Sequence, residues 1–485
     1  MRRILVFLTA GVLAASLAAP AAAMAGPFGG NVYVVPSSGG GNDTLAIQNA
    51  LNACAAHGPG CTVQLEGGTY NITQLVTYNF QGTLRGVGEG RTTIEALPDL
   101  PVYQSGDPFT CLPTSGPGCQ WPTLITFVNG TIEVSDLSIH EGDDSGNATE
   151  QWAFPGYGPL TALWSVLFFT GQRTDVSIDR VAIRGEHDAT TGDLAYGFNL
   201  DFGVAFVNIP VTSPSLRGSL AVRDSSFQTM SAGVSAGGGP LGSVQVTIGG
   251  SPWAGNHFAD VDVGFDQEGA QSSVFDVSYN VVTQAAWFDM WVVPSDFVPS
   301  SPSQYLIHDN TFAITAPYEA SIWLVDDLAR PWIQARVWDN MITLGSLEGI
   351  GISAIYTTGT VISGNTIAGG TPVPGSGEED AIGLWSATGS KVMGNDVSRV
   401  TPDTAANGGL AQIYLGTSSY WAPLGTTPIL STDNLVVCLR STDTVFNLGS
   451  GNTLQHCTQL TAPEVTPLAR PAPRTVGVKP KPYFP

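Results

Sequence analysis

The chain has 485 residues, 58 of them glycine and only 12% charged, and its formal net charge is −22. That balance excludes nucleic acid as the expected partner, because a phosphate backbone is gripped by clustered Lys and Arg. An anionic ligand would need a bound cation or a local basic patch to approach so acidic a surface.

The N-terminus carries Arg2 and Arg3, an apolar run from Ile4 to Leu17, and small residues ending in Ala23-Met24-Ala25. This is the layout of a cleaved secretory signal over residues 1–25, so the protein is expected to be secreted, to the extracellular space or the periplasm. The run is too short for a stable anchor, and no later stretch is long and apolar enough to predict a transmembrane segment. The six cysteines fall as three local pairs, Cys54 with Cys61, Cys111 with Cys119 and Cys438 with Cys457. In an exported chain that spacing predicts disulfides rather than metal ligation.

Gly39-Gly40-Gly41-Asn42-Asp43-Thr44 leads into Leu45-Ala46-Ile47-Gln48-Asn49-Ala50-Leu51, an Asp/Thr cap before apolar residues at helical spacing. One short amphipathic helix is predicted here, placed to cover the open end of whatever sheet follows. Val63-Gln64-Leu65-Glu66-Gly67-Gly68-Thr69-Tyr70 and Leu84-Arg85-Gly86-Val87-Gly88-Glu89-Gly90 then read as short strands broken by glycines. Taken in order, these three motifs resemble the opening of pectate-lyase-like proteins. The resemblance implies a right-handed parallel β-helix over roughly residues 31–460. It implies no single activity, since that fold carries lyases, hydrolases, epimerases and non-catalytic proteins. The Asn-Thr-Asp, Gly-His-Gly and Arg-Ile-Lys set of polygalacturonase-like hydrolases is missing, as is the Asp-Pro-His-Asp of mannuronan-epimerase-like proteins.

Six segments further along end in the same turn: Trp253-x-x-Asn256, Val277-x-x-Asn280, Ile307-x-x-Asn310, Val337-x-x-Asn340, Ile362-x-x-Asn365 and Val392-x-x-Asn395. Their asparagines are 24, 30, 30, 25 and 30 residues apart. A fixed period of that size is one supersecondary unit repeated, and short, alternating, β-branched units make an all-β solenoid. Asparagine suits the turn because it tolerates left-handed backbone and because stacked copies can hydrogen-bond along the axis. Val134-x-x-Leu137, Ile178-x-x-Val181 and Val222-x-x-Ser225 keep the apolar frame with other turn residues, so one domain is predicted over residues 26–460.

The strand after each asparagine turn is read by alternation. If Phe288 and Met290, Ile322 and Leu324, Ile382 and Leu384, and Ile413 and Leu415 point inward, then Trp287, Asp289, Trp291, Trp323, Trp385 and Tyr414 point outward. Aromatics on one face of successive coils, about 4.8 Å apart, make a platform for sugar rings, or else a satellite core beneath long loops. Asp201 and Asp262 sit between apolar residues that the same alternation turns inward. With Asp262 and Asp289 in register, their Cβ atoms would lie roughly 5 Å apart. Two carboxylates that close hold one proton between them or bind a cation, giving either an acid and a base for glycosidic cleavage or a Ca²⁺ site for an acidic sugar. His140, His187, His257 and His308 have no second histidine at ligand spacing, which disfavours zinc. His187-Asp188 lies in a loop that could border the groove, and Thr461 to Pro485 reads as a proline-rich basic tail. The expected function is a secreted polysaccharide-acting lyase or glycoside hydrolase. Asp262 and Asp289 are its expected centre, with Trp287, Trp291, Trp323, Trp385 and Tyr414 along the glycan. The competing expectation is a non-catalytic carbohydrate-binding or cell-surface β-helix protein.

Overall fold

A computed structural model describes residues 31–97, 123–141, 151–153, 159–161, 165–185, 202–207, 216–293, 301–314, 319–327, 331–345, 349–370, 380–401, 411–418 and 429–460. The expected signal, Cys111 and Cys119, Asp201, His187-Asp188 and the basic tail lie outside them.

The repeat folds as three parallel ladders joined edge to edge. The first sheet stacks Val274–Ser278, Ser303–His308, Ile333–Trp338, Val361–Ser363, Lys391–Met393, Leu435–Val437 and Thr453–Gln455. The second stacks Thr311–Ile314, Met341–Leu344, Thr366–Gly369 and Asp396–Val400. The third stacks Glu319–Val325, Gly349–Ile355, Ile382–Trp385, Ile413–Ser418 and Thr444–Asn447. Earlier coils run through all three with longer continuous strands, such as Ser226–Gly249. Each coil therefore supplies one strand to each sheet, and the chain is the right-handed parallel β-helix expected, the fold that pectate-lyase-like proteins have.

Alternation along these strands sends Val, Ile, Leu and Phe into a single continuous core. Like residues stack on like inside it: Phe275 lies 4.9 Å from Tyr305, almost parallel at 3°. The one helix among the described residues, α1 (Thr44–His57), buries Ile47, Ala50, Leu51 and Cys54 against the first coils, closing that end of the core. Cys54 is bonded to Cys61, and Cys438 to Cys457.

The asparagines form the axial ladder. Asn280 donates from its backbone amide and its Nδ2 to Asn310 Oδ1 at 3.0 and 3.1 Å, and Asn310 does the same to Asn340 at 3.1 and 2.9 Å. The pattern runs from Asn256 to Asn395, and Ser225 begins it by donating its amide to Asn256 Oδ1. The left-handed residue of the turn is the one before the asparagine, with φ of 61° at Tyr279, 54° at Asp309 and 53° at Asp339. The asparagine itself is placed by its side-chain bonds, which satisfy buried backbone that a plain turn would leave unpaired.

Candidate functional site

The outer surface of the third sheet has one register position that runs the length of the stack. From Ser235 it passes through Asp266, Trp291, Trp323, Ser353, Gly383, Tyr414 and Phe446. Trp291 and Trp323 are thus direct neighbours in adjacent coils. Gly383 leaves room in this row: a Cβ there would stand 2.3 Å from Trp385 Nε1, so the indole of Trp385 occupies the space that a side chain at 383 would fill. The Trp385 ring lies 4.3 Å from Tyr414, and Tyr414 stacks on Phe446 at 5.6 Å.

Trp287, Trp291, Trp323, Trp385 and Tyr414 therefore share one face, but the face is not the open platform that alternation suggested. Trp323 and Trp385 are buried, at 4% and 6% exposure, within a second apolar cluster outside the solenoid core. Phe288, expected to point inward, is part of that cluster and lies 5.4 Å from both Trp291 and Trp323. Val325, Ile355 and Tyr356 are among its other members. Trp287, Trp291 and Tyr414 are only partly buried, and they are the rings a ligand can reach.

The carboxylates separate more sharply. Val263 pairs with Phe288 and Phe265 with Met290, so Asp289 lies across from Gly264, two positions beyond Asp262. The expected register between Asp262 and Asp289 is not formed. Val261 pairs with Ala285 and Val263 with Phe288, so Asp262 stands opposite Ala286 and Trp287, where a bulge gives the later strand one extra residue. Gly264 faces the core, since a Cβ on it would be 3.2 Å from Val282 Cγ2. Asp289 shares that inward position with Gly264 and with Ser321, whose hydroxyl donates to Asp289 Oδ2 at 2.5 Å. Burial raises the Asp289 pKa to about 8, opposed by the Ser321 hydroxyl and the Ala313 amide. At neutral pH Asp289 is an internal, protonated, hydrogen-bonded side chain.

Asp262 stays at the corner leading into the third sheet, buried at 2% exposure, and accepts a 3.2 Å hydrogen bond from Ser231. The outer carboxylate that sequence reasoning missed is Asp266. Its Oδ2 accepts from the Ser235 hydroxyl at 2.9 Å, its Oδ1 has no hydrogen-bond partner among the described residues, and the next coil sets Trp291 beside it. Burial raises its pKa to about 7, with the Ser235 hydroxyl pulling the other way. The available signal was Phe265-Asp266-Gln267, a carboxylate between two residues that face the core.

Another buried acid, Asp326, belongs to the scaffold. Asp326 accepts the backbone amides of Asp327, Trp332 and Ile333, which makes it a turn organiser; burial still raises its pKa to about 7. His140 lies 3.4 Å from Glu95 at a strand end, and His257 is exposed. No group of three or more His, Cys, Asp or Glu side chains gathers as a metal cage among the described residues. Among those residues, too, no helix is long and apolar enough to cross a membrane.

No family model and no curated protein matches this chain. Among solved structures it is similar to a GH87 alpha-1,3-glucanase catalytic unit from Streptomyces thermodiastaticus, at 13% identity and a TM-score of 0.46, over 92% of this chain and 72% of that one. The periplasmic alginate epimerase AlgG aligns at 11% identity and a TM-score of 0.40, over 83% of this chain and 77% of the epimerase. A Dettilon tailspike protein aligns at 12% identity and a TM-score of 0.41, over 88% and 68%.

Proposed function

We propose that the protein is an exported, polysaccharide-acting enzyme that holds an extended glycan along the third sheet, with acid chemistry at Asp266. The observation that carries this reading is Asp266 itself: a buried carboxylate, fixed through one oxygen by Ser235, with its other oxygen without a hydrogen-bond partner among the described residues and an aromatic row starting in the next coil. A pKa of about 7 keeps a large fraction of such a group protonated at neutral pH, as a proton donor to a glycosidic oxygen requires. Asp262, four residues earlier on the same strand, is the second carboxylate within reach of the same coil, and Trp287, Trp291 and Tyr414 offer ring surface to the sugar. Two disulfides support the export half of the proposal, since such bonds persist in oxidising compartments.

A second reading has its own observation. The burial of Trp323 and Trp385 makes part of the row structural, which favours a non-catalytic carbohydrate-binding β-helix. A panel of polysaccharides assayed for new reducing ends and for the ultraviolet absorbance of an unsaturated product separates the possibilities. A lyase gives both signals, a hydrolase only the first, and a binding protein neither. Asp266→Asn keeps shape and removes the titrating proton, so it should abolish cleavage; full activity in that variant would move the chemistry elsewhere.

A further inference from the structure

The first sheet carries a feature that the reading of the third sheet does not use. One outward register position passes from Ser278 through His308, Trp338, Ser363 and Met393. The imidazole of His308 stacks on the Trp338 indole at 4.1 Å and 12°, and it is fixed there by Asp309 at 2.8 Å and Asp276 at 3.4 Å. One face of Trp338 is thereby occupied. On the other side the next coil offers only Ser363, whose side chain ends at its hydroxyl. Successive coils are about 4.8 Å apart, so a slot close to two spacings tall opens between the second face of Trp338 and Met393. His308 is the only ring partner of Trp338 among the described residues.

The ends of the slot differ in charge. Two residues before Trp338 and Met393, on the same face, stand Arg336 and Lys391. Both are exposed and neither forms an ion pair among the described residues, in a chain with 18 Lys and Arg against 40 acids. At the opposite end the Asp339 carboxylate lies over Gly364, where a Cβ would be 2.4 Å from Oδ1. The slot therefore has a flat aromatic floor, a cationic end, and an acceptor end suited to hydroxyl groups.

We propose that this slot on the first sheet binds an anionic sugar unit, a carboxylated hexose within a glycan, stacked on Trp338 with its carboxylate toward Arg336 and Lys391 and its hydroxyls toward Asp339. A flat aromatic anion would gain the floor and the cations but nothing from Asp339. The ring and charge pattern suits a uronate better. The site is separate from the third sheet and does not depend on what happens there.

Calorimetric titration of the full chain with an oligogalacturonate and with an uncharged oligogalactose of equal length tests it. The wild type should bind the uronate, more weakly as salt rises, and bind the uncharged sugar at least about ten-fold less well. Trp338→Ala should weaken uronate binding by about ten-fold. The exposed pair Arg336→Gln with Lys391→Gln, which has little reason to disturb folding, should do the same and remove the salt dependence. Trp253→Ala, an exposed turn ring outside both aromatic rows, should leave it unchanged. The proposal is overturned if the wild type binds no uronate, if it binds both sugars equally, if both first-sheet variants bind as the wild type does, or if Trp291→Ala alone abolishes binding. That last outcome would place the uronate on the third sheet instead.

Discussion

Ser321 and Asp289 occupy adjacent rungs of one inward-facing position, and the hydroxyl of the first donates to the carboxyl of the second at 2.5 Å. Glycines hold the neighbouring rungs on either side: Gly264 precedes Asp289, and Gly351 follows Ser321. The small residues leave the volume that this polar pair fills, and burial keeps the acid protonated.

The pair has a sign in pH. In the unfolded chain an aspartate releases its proton near 3.8, whereas folded Asp289 keeps it to about 8. Its contribution to stability is therefore intact below about pH 4, declines as pH rises through the window between the two values, and is fully lost above about 8. One proton difference gives a slope of about 1.4 kcal/mol per pH unit within that window. Asp266 and Asp326, each raised to about 7, add slopes of the same sign. Urea unfolding at a series of pH values should show stability falling toward alkaline pH, and Asp289→Asn should flatten the decline. A profile that rises through this range would contradict the interior placement.

Removing a middle asparagine of the ladder should be costly. Asn310 accepts from Asn280, donates to Asn340, and donates from Nδ2 to the Val277 carbonyl at 2.8 Å. Asn310→Ala leaves several buried groups unpaired, each worth about 1 to 3 kcal/mol, so a loss of at least about 3 kcal/mol is expected in denaturant unfolding. The same change at Asn452, on a partly buried terminal rung, should cost less.

Trp323→Ala and Trp291→Ala should divide stability from binding. Truncating the buried Trp323 opens a void in the outer cluster and should lower stability by about 3 to 5 kcal/mol. Trp291, partly exposed, should lose less stability while weakening any glycan held on the third sheet by about 1 to 3 kcal/mol. Melting curves and titrations on the two variants read the difference directly.

Peptide mapping of the unreduced protein should recover Cys54 joined to Cys61 and Cys438 joined to Cys457. The third expected pair, Cys111 with Cys119, is checked by the same experiment. Reduction should destabilise chiefly the C-terminal coils, where the Cys438–Cys457 loop spans 19 residues, by about 3 kcal/mol.

The solenoid and its asparagine ladder were legible in the sequence because each is a local pattern that recurs, and the capping helix because its apolar residues fall at helical spacing after Asp43-Thr44. The single aromatic face was legible from alternation: Trp291, Trp323, Trp385 and Tyr414 each sit directly beside a core residue, Met290, Ile322, Leu384 and Ile413. Register across the bulge was not. The extra residue between Ala285 and Phe288 leaves no mark in the sequence, and alternation breaks just past it, where the consecutive residues Asp289 and Met290 both face the core. Depth was hidden too, because the outer cluster is assembled from Phe288, Val325, Ile355 and Tyr356, which lie in three different coils.

The ladder also sets what kinds of length change the chain can absorb. Within the ladder Asn310 bonds to the rung before, Asn280, and the rung after, Asn340, each 30 residues away. Duplicating or excising one whole coil would hand each surviving asparagine an equivalent partner and leave every sheet in phase. Losing a single residue within a strand would instead rotate that coil's side chains about the axis, exchanging core for surface on the remainder of the strand. Changes in size should therefore come in units of a turn of the solenoid or fall in the connections between strands, and the unequal intervals of 24 and 25 residues beside those of 30 place their differences outside the ladder rungs.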